Sequence, residues 1–280
     1  MVRIIPFPAD EEISDKLFEP RDKYAILAVG KNILSGYADN VPNLPRWSSF
    51  ISGNLNLYDW ELLLTGTLDF GERSPLNAID GIAGTCKGKG GVKQIVRPKD
   101  IVRSSLADVV SKYEKGELRN GSYREVAKIW PGTTEVLPEF RKAVKRFEGV
   151  SDDNTLTTVI VFSHGEAETI QMGSVRLSYE GFLEELDKIR GKKTVFVYAC
   201  HSGSFLKKLR LHENRKDYAA IASCEADNLS TNWNDRELDD YLFGHFSKGA
   251  RLSDLELQPI DGATHGQRPK MLRYFDCRLV

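Results

Sequence analysis

The sequence predicts a single α/β domain built on a mainly parallel sheet, and three observations carry that expectation. Three short, nearly all-apolar runs, Thr158-Val-Ile-Val-Phe162, Thr194-Val-Phe-Val-Tyr-Ala199 and Tyr218-Ala-Ala-Ile-Ala222, suit strands covered on both faces. Two segments of helical period separate them, Tyr179 to Arg190 and Ser202 to Leu211, so strand and helix alternate as parallel crossovers require. No repeat, low-complexity segment or clear linker divides the 280 residues. Length alone, at about 150 residues per domain, is compatible with one large domain or two small ones.

Each element has a local reason. Residues 1–22 read as an extended arm, and Tyr24-Ala-Ile-Leu-Ala-Val-Gly30 is the first strand. Residues 31–57, rich in Gly, Asn, Ser and Pro, form a long irregular connection. A short helix is expected at 58–66, where Leu57, Trp60, Leu63 and Leu64 share a face, and a Gly-rich loop at 84–91 leads to a brief strand near Val92 to Val96. Amphipathic helices are expected near 99–114 and 136–148. In the segment from Tyr179, the residues Phe182, Leu183, Leu186 and Ile189 repeat at helical spacing, with Glu180 early, Lys188 and Arg190 late, and Gly191 as a stop. Phe205, Leu206 and Leu209 share a face of the next helix.

Composition narrows the function. With 41% hydrophobic and 28% charged residues the chain is that of a soluble globular protein. Thirty-nine basic against forty acidic residues leave a net charge of -1, so there is no basic excess to engage nucleic acid or an anionic membrane. The longest apolar runs fall well short of the roughly 20 residues that cross a bilayer. The amino terminus breaks its apolar run with two prolines and lacks the core of a secretory signal. Cys86, Cys200, Cys224 and Cys277 are scattered, without a CxxC pair, which suits a reducing compartment. A cytoplasmic location is expected.

In an open parallel sheet the functional crevice lies beyond the carboxyl ends of the strands. Two motifs stand there: Ser163-His164-Gly165-Glu166 after the strand ending at Phe162, and Cys200-His201-Ser202-Gly203-Ser204 after the strand ending at Ala199. They are separated by one strand-helix-strand unit, whose strands are commonly neighbours. An imidazole and a thiol facing each other across the crevice make a base and nucleophile. The thiolate is the reactive form of cysteine, favoured at helix amino termini, and histidine exchanges protons near neutrality. Gly165 permits close backbone approach, and its N–H with that of Cys200 would stabilise an oxyanion. Cys224 and Cys277 read as small buried hydrophobes. Cys86 has no assigned role, and the sequence names no partner for His212, His245 or His265, whereas His201 stands where it would position a neighbour.

These residues resemble the caspase, legumain and metacaspase group of cysteine peptidases, which carry a strand ending in His-Gly and a later strand ending in Cys within a small-residue motif. Phe162-Ser-His-Gly165 and Tyr198-Ala-Cys-His-Ser-Gly-Ser204 carry the likeness, which covers roughly residues 155–235. The resemblance implies a three-layer caspase-like sandwich, with a mostly parallel, six-stranded sheet between helices. It implies cofactor-free cleavage of a protein or peptide after a selected residue, P1, with calcium activation, oligomeric state and zymogen processing left open. His164 and Cys200 would be the dyad. In metacaspases a basic P1 side chain meets an acid two residues before the cysteine and another after the next strand. Tyr198 takes the first position, a departure, and Asp227 matches the second, with Glu225 nearby and Trp233 as a wall. Basic P1 is therefore expected, with Asn or Asp as alternatives. Exposed basic loops imply self-cleavage candidates at Lys87, Lys89 and Arg119.

Other classes fit less well. His164-Gly-Glu166 matches the H-x-E of zinc deaminases, but the P-C-x-x-C half is missing and Cys200 stands alone. A nucleotide loop fails because Ala83 stands where a Gly must be, and Gly90 follows Gly88-Lys89 where Ser or Thr must be. A non-catalytic scaffold of the same fold remains the main alternative to a peptidase.

Overall fold

The computed structural model describes residues 16–30, 47, 50, 125–129, 136–230, 232–257 and 268–279, with 29, 125–129 and 232–236 described through the backbone alone. The expected elements at 58–66, 92–96 and 99–114, the loop at 84–91, Cys86, Lys87, Lys89 and Arg119 lie outside the described residues, as does most of 31–57. In chain order the strands are β1 (Leu17–Phe18), β2 (Asp22–Val29), β3 (Glu125–Ile129), β4 (Thr155–Phe162), β5 (Thr169–Met172), β6 (Val175–Ser178), β7 (Lys192–Tyr198), β8 (Tyr218–Ala222), β9 (Lys270–Arg273) and β10 (Asp276–Cys277). The helices are α1 (Val136–Glu148), α2 (Tyr179–Asp187), α3 (Gly203–Leu211) and α4 (Asn232–Phe246).

Six strands form the central sheet in the order β3-β2-β4-β7-β8-β9. All its pairings are parallel except β8 with β9. The mostly parallel, six-stranded expectation is met. β4 is buried at every position, which is why its sequence reads as a continuous apolar and threonine run without alternation. Successive side chains nevertheless serve different layers. Val159, Val161, Val195 and Val197 pack with α1, α2 and α3 on one face, while Ile160, Phe162, Phe196 and Tyr198 pack with α4 and Trp47 on the other. Helices on both faces thus complete a three-layer sandwich.

Local chemistry sets the helix ends. Ser178 caps α2, its hydroxyl accepting from the Gly181 N–H at 3.0 Å. Gly191, at φ 83°, turns the chain into β7 against the Thr155 and Asp152 carbonyls, where a side chain has no room. Residues 17–18 of the expected arm pair in parallel with β10, and β2 already begins at Asp22. No helix among the described residues is long and apolar enough to cross a membrane.

Candidate active site

Register brings the two motifs together. β4 and β7 are hydrogen-bonded neighbours with Phe162 opposite Tyr198, and the Ser163 N–H donates to the Tyr198 carbonyl at 2.9 Å, extending the ladder past the strand ends. His164 and Cys200 therefore stand equally far, two residues, beyond paired positions of strands about 4.8 Å apart. His164 is exposed and Cys200 half-buried. Gly165 packs directly on the cysteine: a Cβ there would fall inside contact distance of the Cys200 carbonyl oxygen, 3.0 Å from the Ala199 Cβ and 3.2 Å from the Tyr179 hydroxyl.

The His164 segment is held by a hairpin that sequence reading passed over. β5 and β6 pair antiparallel across Gly173, at φ 74°, and Ser174, and residues 164–166 add a further edge to β5. The Gln171 N–H donates to the His164 carbonyl and the Glu166 N–H to the Thr169 carbonyl, both at 2.9 Å. This makes Gly165 and Ile170 a non-hydrogen-bonded pair, so the ladder does not consume the Gly165 N–H. Neither it nor the Cys200 N–H makes a hydrogen bond among the described residues. The signal for the hairpin was present: two short runs separated by a Gly-Ser pair.

Cys200 precedes the first turn of α3, and its thiol lies 3.8 Å from the Ser230 carbonyl oxygen. The loop after β8 supports it from below. His201 adopts φ 57°, its N–H donating to the Asn228 carbonyl and its Nδ1 to the Ala226 carbonyl, both at 2.8 Å. The Ser202 hydroxyl accepts from the Cys224 N–H at 3.2 Å instead of capping α3. The Cys224 thiol, fully buried, lies 3.3 Å from the Ala199 carbonyl oxygen. Cys277 is also buried, which pushes its thiol pKa up to about 12.

The two halves are also tied by charge. Lys208 of α3 bridges Glu180 of α2 at 2.6 Å and Glu168 of the His164 segment at 3.2 Å. The hydrogen bond with Glu180, then that with Glu168, raises the lysine's pKa, and the lysine in turn lowers that of Glu180. Beneath Gly165 the Tyr179 hydroxyl is fully buried and has no hydrogen-bond partner among the described residues. Burial, and then the Cys224 and Cys200 thiols, push its pKa up.

The expected P1 residues are placed unequally. Asp227 is exposed in the loop after β8. Glu225 is engaged by Lys270 at 3.1 Å and by Asn228 at 3.3 Å. Tyr198 requires a correction. It is 1% exposed, stacked on Phe162 at 4.8 Å, with its hydroxyl donating to the Asp239 carboxylate and accepting from the Trp47 indole at 3.0 Å. Trp47 also donates to Asp239, at 2.9 Å. Tyr198 is thus a core residue and not a substrate contact. Its phenol, like the Trp47 indole, donates to Oδ1 of a buried carboxylate on α4. Trp233 lies on α4, its side chain outside the described residues.

Glu166 pairs with Arg176 at 3.0 Å, and no three His, Cys, Asp or Glu side chains among the described residues are grouped to hold a metal. A profile of the peptidase C13 family matches residues 105–273, a span that includes both His164 and Cys200. The chain belongs to the peptidase C13 family. It therefore falls within the group of cysteine peptidases that its two motifs resemble. The C13 chain is also similar to the crystal structure of caspase-1 from Spodoptera frugiperda, with 12% identity and a TM-score of 0.37 over 61% of this chain and 80% of that one. Comparison with curated proteins finds no match.

Proposed function

We propose that this C13 peptidase is a cytoplasmic endopeptidase that cleaves protein or peptide substrates through a Cys200–His164 dyad. The observation that carries the reading is the shared register of the two strand ends, with Gly165 seated on the Cys200 backbone. His164 takes the proton from the Cys200 thiol, and the sulfur attacks the scissile carbonyl. The oxyanion is met by the Gly165 and Cys200 N–H groups, both unspent among the described residues. His164 returns its proton to the leaving amine, leaving an acyl-enzyme that water hydrolyses by the reverse sequence. No cofactor enters these steps, and three free thiols among the described cysteines suit a reducing compartment.

Asp227 reads a basic P1 side chain in this account. With Tyr198 committed to the core and Glu225 paired with Lys270, it is the exposed carboxylate of the loop that contacts Cys200. The test is to incubate wild type and Cys200→Ala with fluorogenic peptides carrying Arg, Lys, Asn or Asp at P1, with and without calcium. Mass measurement checks for self-cleavage at Lys87, Lys89 or Arg119. Turnover by wild type alone is expected, and Asp227→Asn should reduce the preference for Arg by about tenfold, as for loss of a charged hydrogen bond. A wild type silent on every substrate refutes the peptidase and favours a binding scaffold. An Asn or Asp preference refutes the pocket assignment.

A further inference from the structure

We propose that Tyr179 is a positioning residue for this reaction. Its hydroxyl, unpaired among the described residues, donates a hydrogen bond to the Cys200 carbonyl as the oxyanion forms at the Gly165 amide. That bond holds the His164–Gly165 turn against the nucleophile through the transition state. The inference rests on the peptidase reading above.

A buried hydroxyl without a partner is rare in folded proteins, and each instance calls for a reason. The tyrosines buried in the sheet satisfy theirs. Tyr198 donates to Asp239, Tyr218 to Asp187 at 2.6 Å, and Tyr24 to the Val150 carbonyl at 3.4 Å. Among the described residues Tyr179 is the buried tyrosine that does not, and its hydroxyl borders the space beside the Cys200 carbonyl. Packing gives no reason for the oxygen, because the ring's contact with Phe205, centroids 5.7 Å apart, would be kept by phenylalanine.

The geometry supplies a reason. The Tyr179 oxygen and the Cys200 carbonyl oxygen border the same space, the one a Gly165 side chain would fill. Absence of a Cβ lets the two oxygens approach as the turn closes. A raised pKa keeps the phenol protonated, and therefore a donor, through the working pH range. A bond absent from the free enzyme and made in the transition state adds to kcat rather than to substrate binding.

The experiment is Tyr179→Phe in the full chain, assayed for kcat, KM, Tm and the rate at which iodoacetamide alkylates Cys200. The expected result is a kcat lower by about tenfold, KM within about twofold, and an unchanged alkylation rate, since alkylation forms no oxyanion. Tm should hold or rise by roughly 2 °C, because an unpaired buried hydroxyl is removed. A merely structural phenol predicts the opposite pattern: Tm falls by several degrees and alkylation changes with kcat. That pattern, or wild-type kcat in Tyr179→Phe, overturns the inference and leaves the peptidase standing. Silence of the wild type on every substrate overturns the peptidase reading and this inference with it.

Discussion

Gly165→Ala tests the contact on which the site is built. The added methyl would overlap the Cys200 carbonyl oxygen and lie 3.0 Å from the Ala199 Cβ. A relaxed carbon-to-oxygen contact is about 3.3 Å or more, so the two backbones must separate by about an ångström. Neither neighbour can swing aside: one is a main-chain atom and the other a Cβ fixed to the end of β7. A displacement of about 1 Å in a catalytic constellation costs on the order of 10²-fold in rate, near 2.7 kcal/mol of activation free energy. Overpacking costs roughly 1–3 kcal/mol of stability, a fall of several degrees in Tm. The assay is kcat/KM on the preferred peptide together with thermal unfolding. Gly244→Ala is the control, since Gly244 is on α4 with nothing within 4 Å of an added Cβ. It should keep full activity and gain up to about 1 kcal/mol from helix propensity. Wild-type kcat/KM in Gly165→Ala refutes the packing of the His164 turn on Cys200 as a catalytic requirement.

Two further outcomes follow from the charged contacts. Lys208→Met removes the bridge from α3 to Glu168 and Glu180, and is expected to lower kcat several-fold with little change in Tm, the bridge being largely in solvent. Raising the salt concentration should depress wild-type kcat toward that of the variant, and equal salt dependence in the two would remove the bridge from the account. Burial pushes the Glu185 carboxyl up, but hydrogen bonds from Lys188 and Arg141 outweigh it and hold its pKa below the ordinary 4.5. A depressed folded-state pKa contributes stability at neutral pH that is lost as pH falls from about 5 through the folded value. In the Cys200→Ala background, Glu185→Gln should lower Tm at pH 7 and flatten its decline between about pH 5 and 3. Parallel pH profiles would refute that linkage.

What the sequence disclosed depended on how local the cause was. β4, β7 and β8 were legible because strands buried on both faces need only be short and apolar, and α1 because Val136, Phe140, Val144 and Phe147 fall on one stripe. α4 was not, although Leu238, Leu242 and Phe246 recur every four residues and are buried. Its buried face also contains Asp239, which interrupts the apolar pattern. The partners that make that carboxylate tolerable, Tyr198 and Trp47, are 41 and 192 residues away in sequence. No periodicity reports a bond of that range. The β5–β6 hairpin is the contrary case, since its Gly173-Ser174 turn and flanking runs were on view.

The same contrast separates the proposed dyad from the proposed substrate pocket. His164 and Cys200 follow from two local motifs and one topological rule, because consecutive parallel strands place their carboxyl ends side by side. The pocket depends on which side chains are left over after the core and the ion pairs have taken theirs. Tyr198 stands two residues before Cys200, yet its phenol is drawn into the layer beneath the sheet by Asp239 and Trp47. Glu225 lies in the loop that supports Cys200, yet its charge is taken by Lys270 of β9. Asp227 sits two residues further along that loop and is exposed, with no charge partner among the described residues. In the proposed reading, discrimination of P1 by charge therefore rests on the loop after β8 and not on the strand that leads to Cys200. Restoring an acid at position 198 would accordingly cost the Tyr198–Asp239 bond and place a second carboxylate beside a buried one, so Tyr198→Asp should unfold the sheet end rather than widen the specificity.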